Sequence, residues 1–294
     1  MGDGLIPVFF GGSMRAAVTR PHWSYSSVSQ YLKCPLQYFY ERVAKLPRKG
    51  VTDAQVLGSA VHSALATYHR KLQSGGVATA ESIRQAYLDA WDGQVEDGQV
   101  VTLGNKSLGD CRDLGMTLIE VYLEQPPSGS IIAVESPMMS PIANSRGEYL
   151  EKPVLIVADL VTRQEDGTLK ITEIKTSGRA YSESEVATSL QPTFYANSLY
   201  EMVGEEPAVE FTVLVKTKVP KVQKIQAIRT ITDFQRLGDL IGVVEKAIEA
   251  GVFYPVESPL NCSGCPFFRP CRAWTGQGTP GELIHHEAEE VVAC

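Results

Sequence analysis

Residues 153–177 read PVLIVADLVTRQEDGTLKITEIKTS, two apolar runs rich in β-branched residues joined by a polar QEDG. That pattern predicts a strand, a tight turn and a second strand. Among the charged residues that interrupt the apolar runs are Asp159 in the first and Glu173 and Lys175 in the second. Side chains two apart on a strand share a face, so Glu173 and Lys175 point the same way. The turn decides whether Asp159 joins them. A two-residue Asp166-Gly167 loop sets Asp159 opposite Ile174. A three-residue Glu165-Asp166-Gly167 loop, with Gly167 in a left-handed bulge position, sets it opposite Glu173. Both loops are open at this point. The second gathers two acids and a lysine beside Leu155, Val157 and Ile171, an expensive place for unpaired charge. Close carboxylates repel unless a divalent cation neutralises them, and oxygen donors suit Mg²⁺ or Mn²⁺. The lysine then orients an attacking water or offsets charge on a phosphate.

Around this hairpin the chain alternates between helix and strand signals. A Ser-rich start predicts an amphipathic helix from Tyr25 to about Lys45, kinked after Cys34 by Pro35. Helices are expected over residues 53–73 and 80–123. Strands follow at 131–139, 153–163 and 169–177, then a helix near 183–202. Strands at 208–218 and 221–231 precede a helix from Asp233 to about Ala250. Helices flanking a block of strands on both sides predict an α/β (α+β) fold with a central mixed sheet.

The chain has 294 residues and a net charge of −7, which argues against a protein that coats nucleic acid non-specifically. No apolar run approaches the roughly 20 residues that span a bilayer. The N-terminal stretch lacks a basic start and an apolar core of signal-peptide type, so a cytoplasmic protein without membrane contact is expected. Six cysteines then suggest metal or redox work rather than a disulfide framework. Three lie in NCSGCPFFRPC as Cys262, Cys265 and Cys271, spaced C-x2-C-x5-C, and such a trio needs a fourth ligand. Cys34, in YLKCPLQYFY, is the candidate; Cys111 and Cys294 read as bystanders.

Asp159 followed by Glu173-Ile174-Lys175 resembles the PD-(D/E)XK nuclease motif. GSAVH at 58–62 resembles the G-x-x-x-H helix motif of that superfamily's RecB-like branch, and QPTFY at 191–195 its Q-x-x-x-Y motif. The resemblance implies a restriction-endonuclease-like core in which His62, Asp159, Glu173 and the Ile174 carbonyl bind the metal. Lys175 is then catalytic, with Gln191 and Tyr195 near the scissile phosphate. Pro192 directly after the glutamine departs from a deep helical setting. Iron–sulfur members of the branch, such as the AddB nuclease domain and CRISPR-associated relatives, place one cysteine before the core and three after it. The likeness therefore implies a [4Fe-4S] cluster on Cys34, Cys262, Cys265 and Cys271, with zinc as the competitor.

The expected organisation is an N-terminal extension (1–24), one nuclease domain (25–274) and a flexible acidic tail (275–294). The function implied is a metal-dependent deoxyribonuclease, an exonuclease on single-stranded DNA or DNA ends, in CRISPR adaptation (antiviral defence) or in DNA repair. Integrase or helicase proteins are the partners implied. The alternative is a non-catalytic or partner-activated DNA-binding subunit of a larger complex. Lys216, Lys218, Lys221 and Lys224 in VKTKVPKVQK are candidates for phosphate contact, or equally lysines guarding a hairpin edge. Arg179 and Tyr181 are candidates for touching a strand or stacking on a base. Glu135, in AVESP, reads as a structural residue rather than an accessory acid.

Overall fold

The computed structural model describes residues 21–48, 50–97, 100–101 and 107–275. The expected extension and tail fall almost wholly outside them, as does Cys294. The chain divides into two compact units. One comprises residues 21–29 and 47–241; the other, among the described residues, comprises 30–46 and 242–275.

In chain order the elements are α1 (Tyr25–Lys33), α2 (Pro35–Tyr38), a π-helical turn (Phe39–Val43), β1 (Val51–Thr52), α3 (Asp53–Gln73), α4 (Ala80–Asp97), β2 (Val100–Val101) and α5 (Leu108–Leu123). Then come β3 (Ser130–Ser140), β4 (Val154–Arg163), β5 (Leu169–Ser177), α6 (Glu183–Thr188), α7 (Gln191–Val203), β6 (Ala208–Val215), β7 (Lys221–Ala227), α8 (Ile231–Glu249), α9 (Pro259–Cys262) and α10 (Phe268–Arg272). The expected N-terminal helix breaks at Cys34, with Pro35 in the first turn of the next helix, where its missing N–H costs nothing. The helix expected over 183–202 is two helices, because Pro192 starts a new one. The helical stretch expected over 80–123 is likewise two, with β2 between them.

The larger unit is built on a five-stranded sheet in the order β3-β4-β5-β6-β7. All neighbours are antiparallel except β5 and β6, which run parallel. A parallel pair needs a crossover, and α6 and α7 form it. The mixed sheet flanked by helices is the restriction-endonuclease-like arrangement.

The β4–β5 turn is the three-residue form. Arg163 pairs with Leu169, Gln164 N–H donates to the Thr168 carbonyl at 2.8 Å, and Gly167 sits at φ +87°. Asp166 accepts the Thr168 amide at 2.9 Å. Asp and Gly supply, respectively, a local acceptor and a left-handed backbone.

Helix α3 opens with a capping box, Thr52 and Gln55 satisfying each other's backbone N–H groups. Val56, Leu57, Ala60, Val61, Ala64 and Leu65 give it one apolar stripe, which packs with Ile174 and Leu214 of the sheet. Tyr87 and Trp91 of α4 and Leu118, Ile119 and Tyr122 of α5 complete this core. Among the described residues no helix is long and apolar enough to cross a membrane.

A histidine lies deep in this unit. His69 of α3 is 1% exposed, with Nε2 2.9 Å from the Tyr122 hydroxyl and no partner for Nδ1. Burial pushes its pKa down to about 4. A depressed histidine is neutral in the fold, whereas the unfolded chain takes its proton near pH 6.5. Its contribution to stability is therefore complete above pH 6.5 and is lost as the pH falls toward 4, on the order of 3 kcal/mol in all. His69→Gln is expected to flatten the fall in unfolding free energy across that window, measured by urea titration against the unsubstituted protein.

Candidate active site

The hydrogen-bond ladder between β4 and β5 ends at Leu160–Thr172. One step further, a side chain takes over from the main chain. The Ile174 N–H donates to Asp159 Oδ2 at 2.6 Å, closing what would otherwise be an unsatisfied buried amide. The same register carries Asp159 to the level of Glu173. The other oxygen of Asp159, Oδ1, lies 3.1 Å from His62 Nδ1 on α3.

A third group arrives from β3. Glu135 holds φ +47°, a conformation uncommon for a residue with a side chain, in the middle of a strand. Its Oε1 lies 4.0 Å from His62 Nδ1. His62, Glu135 and Asp159 each bring a ligand atom within 4.8 Å of the others. Burial pulls the His62 imidazole down, but the Asp159 carboxylate beside it more than compensates, so its pKa is raised. Burial and then the Asp159 charge raise that of Glu135. Two carboxylates and an imidazole gathered this closely are a donor set suited to a hard divalent cation.

Glu173 is placed differently from the expectation of a simple shared ligand set. It is 4% exposed, and both oxygens are taken. Oε1 accepts from Lys175 Nζ at 2.5 Å and from Gln191 Nε2 at 2.7 Å; Oε2 accepts from the Tyr195 hydroxyl at 2.7 Å. Burial and the Asp159 charge raise the Glu173 pKa, opposed by Lys175. For Lys175 burial works against the ammonium, yet Glu173 outweighs it and the pKa is raised, so the side chain remains a cation at neutral pH. Pro192 in the first turn makes Gln191 the first residue of α7, and the i, i+4 spacing brings Tyr195 alongside it, 2.8 Å from Nε2. Both residues therefore grip the carboxylate of Glu173. The Ile174 side chain is 2% exposed and belongs to the helical core.

The remaining candidates make contacts of their own. Arg179 is paired with the Glu185 carboxylate at 2.5 and 2.7 Å, and Tyr181 packs edge-on to Phe211. Lys216 follows β6, Lys218 is exposed in the turn, and Lys221 and Lys224, three apart on β7, project from opposite faces. The four lysines do not form one basic face.

The sequence context of Glu135 suggests a structural residue; the fold brings it to the donor group. The available signal was an acid within the apolar run of β3, directly before Ser-Pro; the positive φ that aims it has no signature in a non-glycine residue.

In the smaller unit the four candidate cysteines are half-buried. The Val256 N–H approaches Cys34 Sγ at 3.5 Å, Leu36 N–H donates to the Tyr254 carbonyl at 3.0 Å, and Tyr40 donates to the Pro270 carbonyl at 3.1 Å. Burial first, and then neighbouring thiols including Cys34, push the Cys265 and Cys271 thiols up. Cys111 is buried in the larger unit, 3.8 Å from an Asp53 oxygen.

No curated protein matches the sequence. Among solved structures, one described as a "Putative exonuclease" from Eubacterium rectale aligns with a TM-score of 0.51 at 13% identity, covering 90% of this chain and 94% of its own. At that identity the likeness speaks for the fold. SSO0001 aligns at 12% identity over 84% of this chain and 95% of its own, with a TM-score of 0.33, too low to carry an argument. The family model of the PD-(D/E)XK nuclease superfamily matches residues 22–272. With the match spanning most of the sequence, the chain belongs to the PD-(D/E)XK nuclease superfamily.

Proposed function

We propose that the protein is a metal-dependent deoxyribonuclease of the RecB-like branch, an exonuclease acting on single-stranded DNA or DNA ends. The observation that carries this reading is the donor group of His62, Glu135 and Asp159 at the point where β4 and β5 part, beside the buried Glu173–Lys175 pair. His62, Asp159 and Glu135 would hold Mg²⁺ or Mn²⁺, with Glu173 and the Ile174 carbonyl completing the set. Such a cation polarises a phosphodiester and makes bound water acidic.

The chain's own groups do the positioning. Asp159 is fixed by the Ile174 amide, so one oxygen stays directed at the cation site. Lys175, held as an ammonium, is a donor and not a base: it aligns the attacking water or offsets charge building on the phosphate. Gln191 and Tyr195 keep Glu173 in one rotamer. Oε2 accepts only the Tyr195 hydroxyl, so it is the Glu173 oxygen with a lone pair left to offer a cation. A nuclease of this kind would serve antiviral defence (CRISPR adaptation) or DNA repair, alongside integrase or helicase proteins.

The cysteine quartet fits a [4Fe-4S] cluster as a structural element of the smaller unit. Four thiols from two separate segments, 30–46 and 242–275, supply the chemistry.

Cleavage of end-labelled single- and double-stranded DNA with Mg²⁺, Mn²⁺ or EDTA tests the enzyme. Cutting is expected only with the cation, falling at least about a hundredfold in Lys175→Ala; cutting in EDTA, or undiminished in the variant, would refute the assignment. Protein purified without air should carry about four irons and a broad visible absorbance, both lost in Cys265→Ser, with a lower melting temperature. One zinc per chain and no iron by elemental analysis would replace the cluster with zinc.

A further inference from the structure

On β3 and β4, Pro137 pairs with Val157 and Met139 with Leu155. Residues opposite one another, and those two apart, share a face, so these four side chains form one strip. Met139 is 55% exposed, Val157 43%, Pro137 is exposed and Leu155 half-buried. The intervening residues Val154, Ile156, Ala158 and Ser140 are buried on the other face, which fixes the strip as the open side of this pair. No charged side chain belongs to it.

The strip adjoins the donor group. Val157 lies two residues before Asp159, and Pro137 two residues after Glu135, a separation of about 7 Å along each strand. The Tyr195 hydroxyl, which also donates to Glu173, lies 3.3 Å from the Val157 carbonyl. A phosphate at the cation site therefore leaves the neighbouring nucleotide over Pro137 and Val157, and the next over Met139 and Leu155.

Paired bases turn their faces into the duplex, leaving only sugars and phosphates to meet such a surface. A phosphate laid against four aliphatic side chains loses water and gains nothing. An unpaired nucleotide presents an apolar base face, which packs on such side chains whatever its sequence. We propose that Pro137, Met139, Leu155 and Val157 form a base-packing subsite that gives the site its preference for unpaired nucleotides. The proposal rests on reading the adjoining donor group as the place where the phosphate binds. Continuity with that group is what selects a nucleic-acid strand over a second copy of the chain at this sheet edge.

The test uses the full chain carrying Lys175→Ala, which removes cutting from the readout. Fluorescence anisotropy in Mg²⁺ buffer follows a labelled single-stranded oligonucleotide and a blunt duplex of the same sequence. Adding Met139→Ser and Val157→Ser, both at exposed positions, is expected to weaken single-strand binding about tenfold and leave duplex binding unchanged. Unchanged single-strand affinity, equal weakening of both, or no measurable single-strand binding before the two substitutions would overturn the proposal. So would a shift in oligomeric state by light scattering at unchanged single-strand affinity, which would make the strip a contact between copies. Cleavage by the unsubstituted protein is scored separately: a selective loss of single-strand binding without any cutting would keep the subsite and reject the nuclease.

Discussion

The contact on which the rest of the site depends is the hydrogen bond from the Ile174 amide to Asp159. Two antiparallel strands cannot part inside a protein without leaving backbone groups unpaired. Asp159 solves that at the first open position by offering a carboxylate oxygen in place of a carbonyl. The ladder can then end, and the other oxygen of Asp159 is left to His62 of α3, which Glu135 of β3 also approaches. An apolar residue at 159 would remove a ligand and also leave the strand end without its closing bond. Structural and chemical roles are carried by the two oxygens of one side chain.

Much of this was legible because it rests on local rules. The strand pair and its turn follow from β-branched runs around a polar QEDG, and Gly167 takes the left-handed position that the three-residue loop requires. That loop sets the level of Asp159 against Glu173, which the sequence left open between two registers. Pro192 counted against a buried helical setting for Gln191, yet in a first turn it is compatible with both Gln191 and Tyr195 reaching Glu173. Glu135 was not legible, since its place depends on a backbone conformation that no neighbouring glycine announces. Nor was the grip of Gln191 and Tyr195 on Glu173 legible, because only the packed crossover fixes the directions of those two side chains. The lysines of the β6–β7 hairpin carry two readings from sequence, phosphate contact or the guarding of an edge. They cluster in sequence and separate in space, because a strand sends residues three apart to opposite faces.

The smaller unit obeys different physics. Its two segments meet through aromatic and main-chain contacts, such as Phe39 against Phe253 at 5.0 Å between ring centres and Tyr31 donating to the Val252 carbonyl at 2.7 Å. Its helices α2, α9 and α10 have four or five residues each, too short to be stable by themselves. A group bound by four thiols would supply the cross-linking that this unit's small core does not.

The parallel pairing of β5 with β6 has a consequence for the order in which the protein assembles. The β4–β5 hairpin closes over a tight turn and β3–β4 over residues 141–153, both local connections that favour early pairing. Gln191 and Tyr195 belong to the crossover, which docks only when β6 finds β5, a contact between residues far apart in the chain. The acids therefore meet before the groups that hold Glu173 are in place. A nascent or partly unfolded chain would carry the acidic residues without their orienting shell, so the finished site is a property of the last stage of folding.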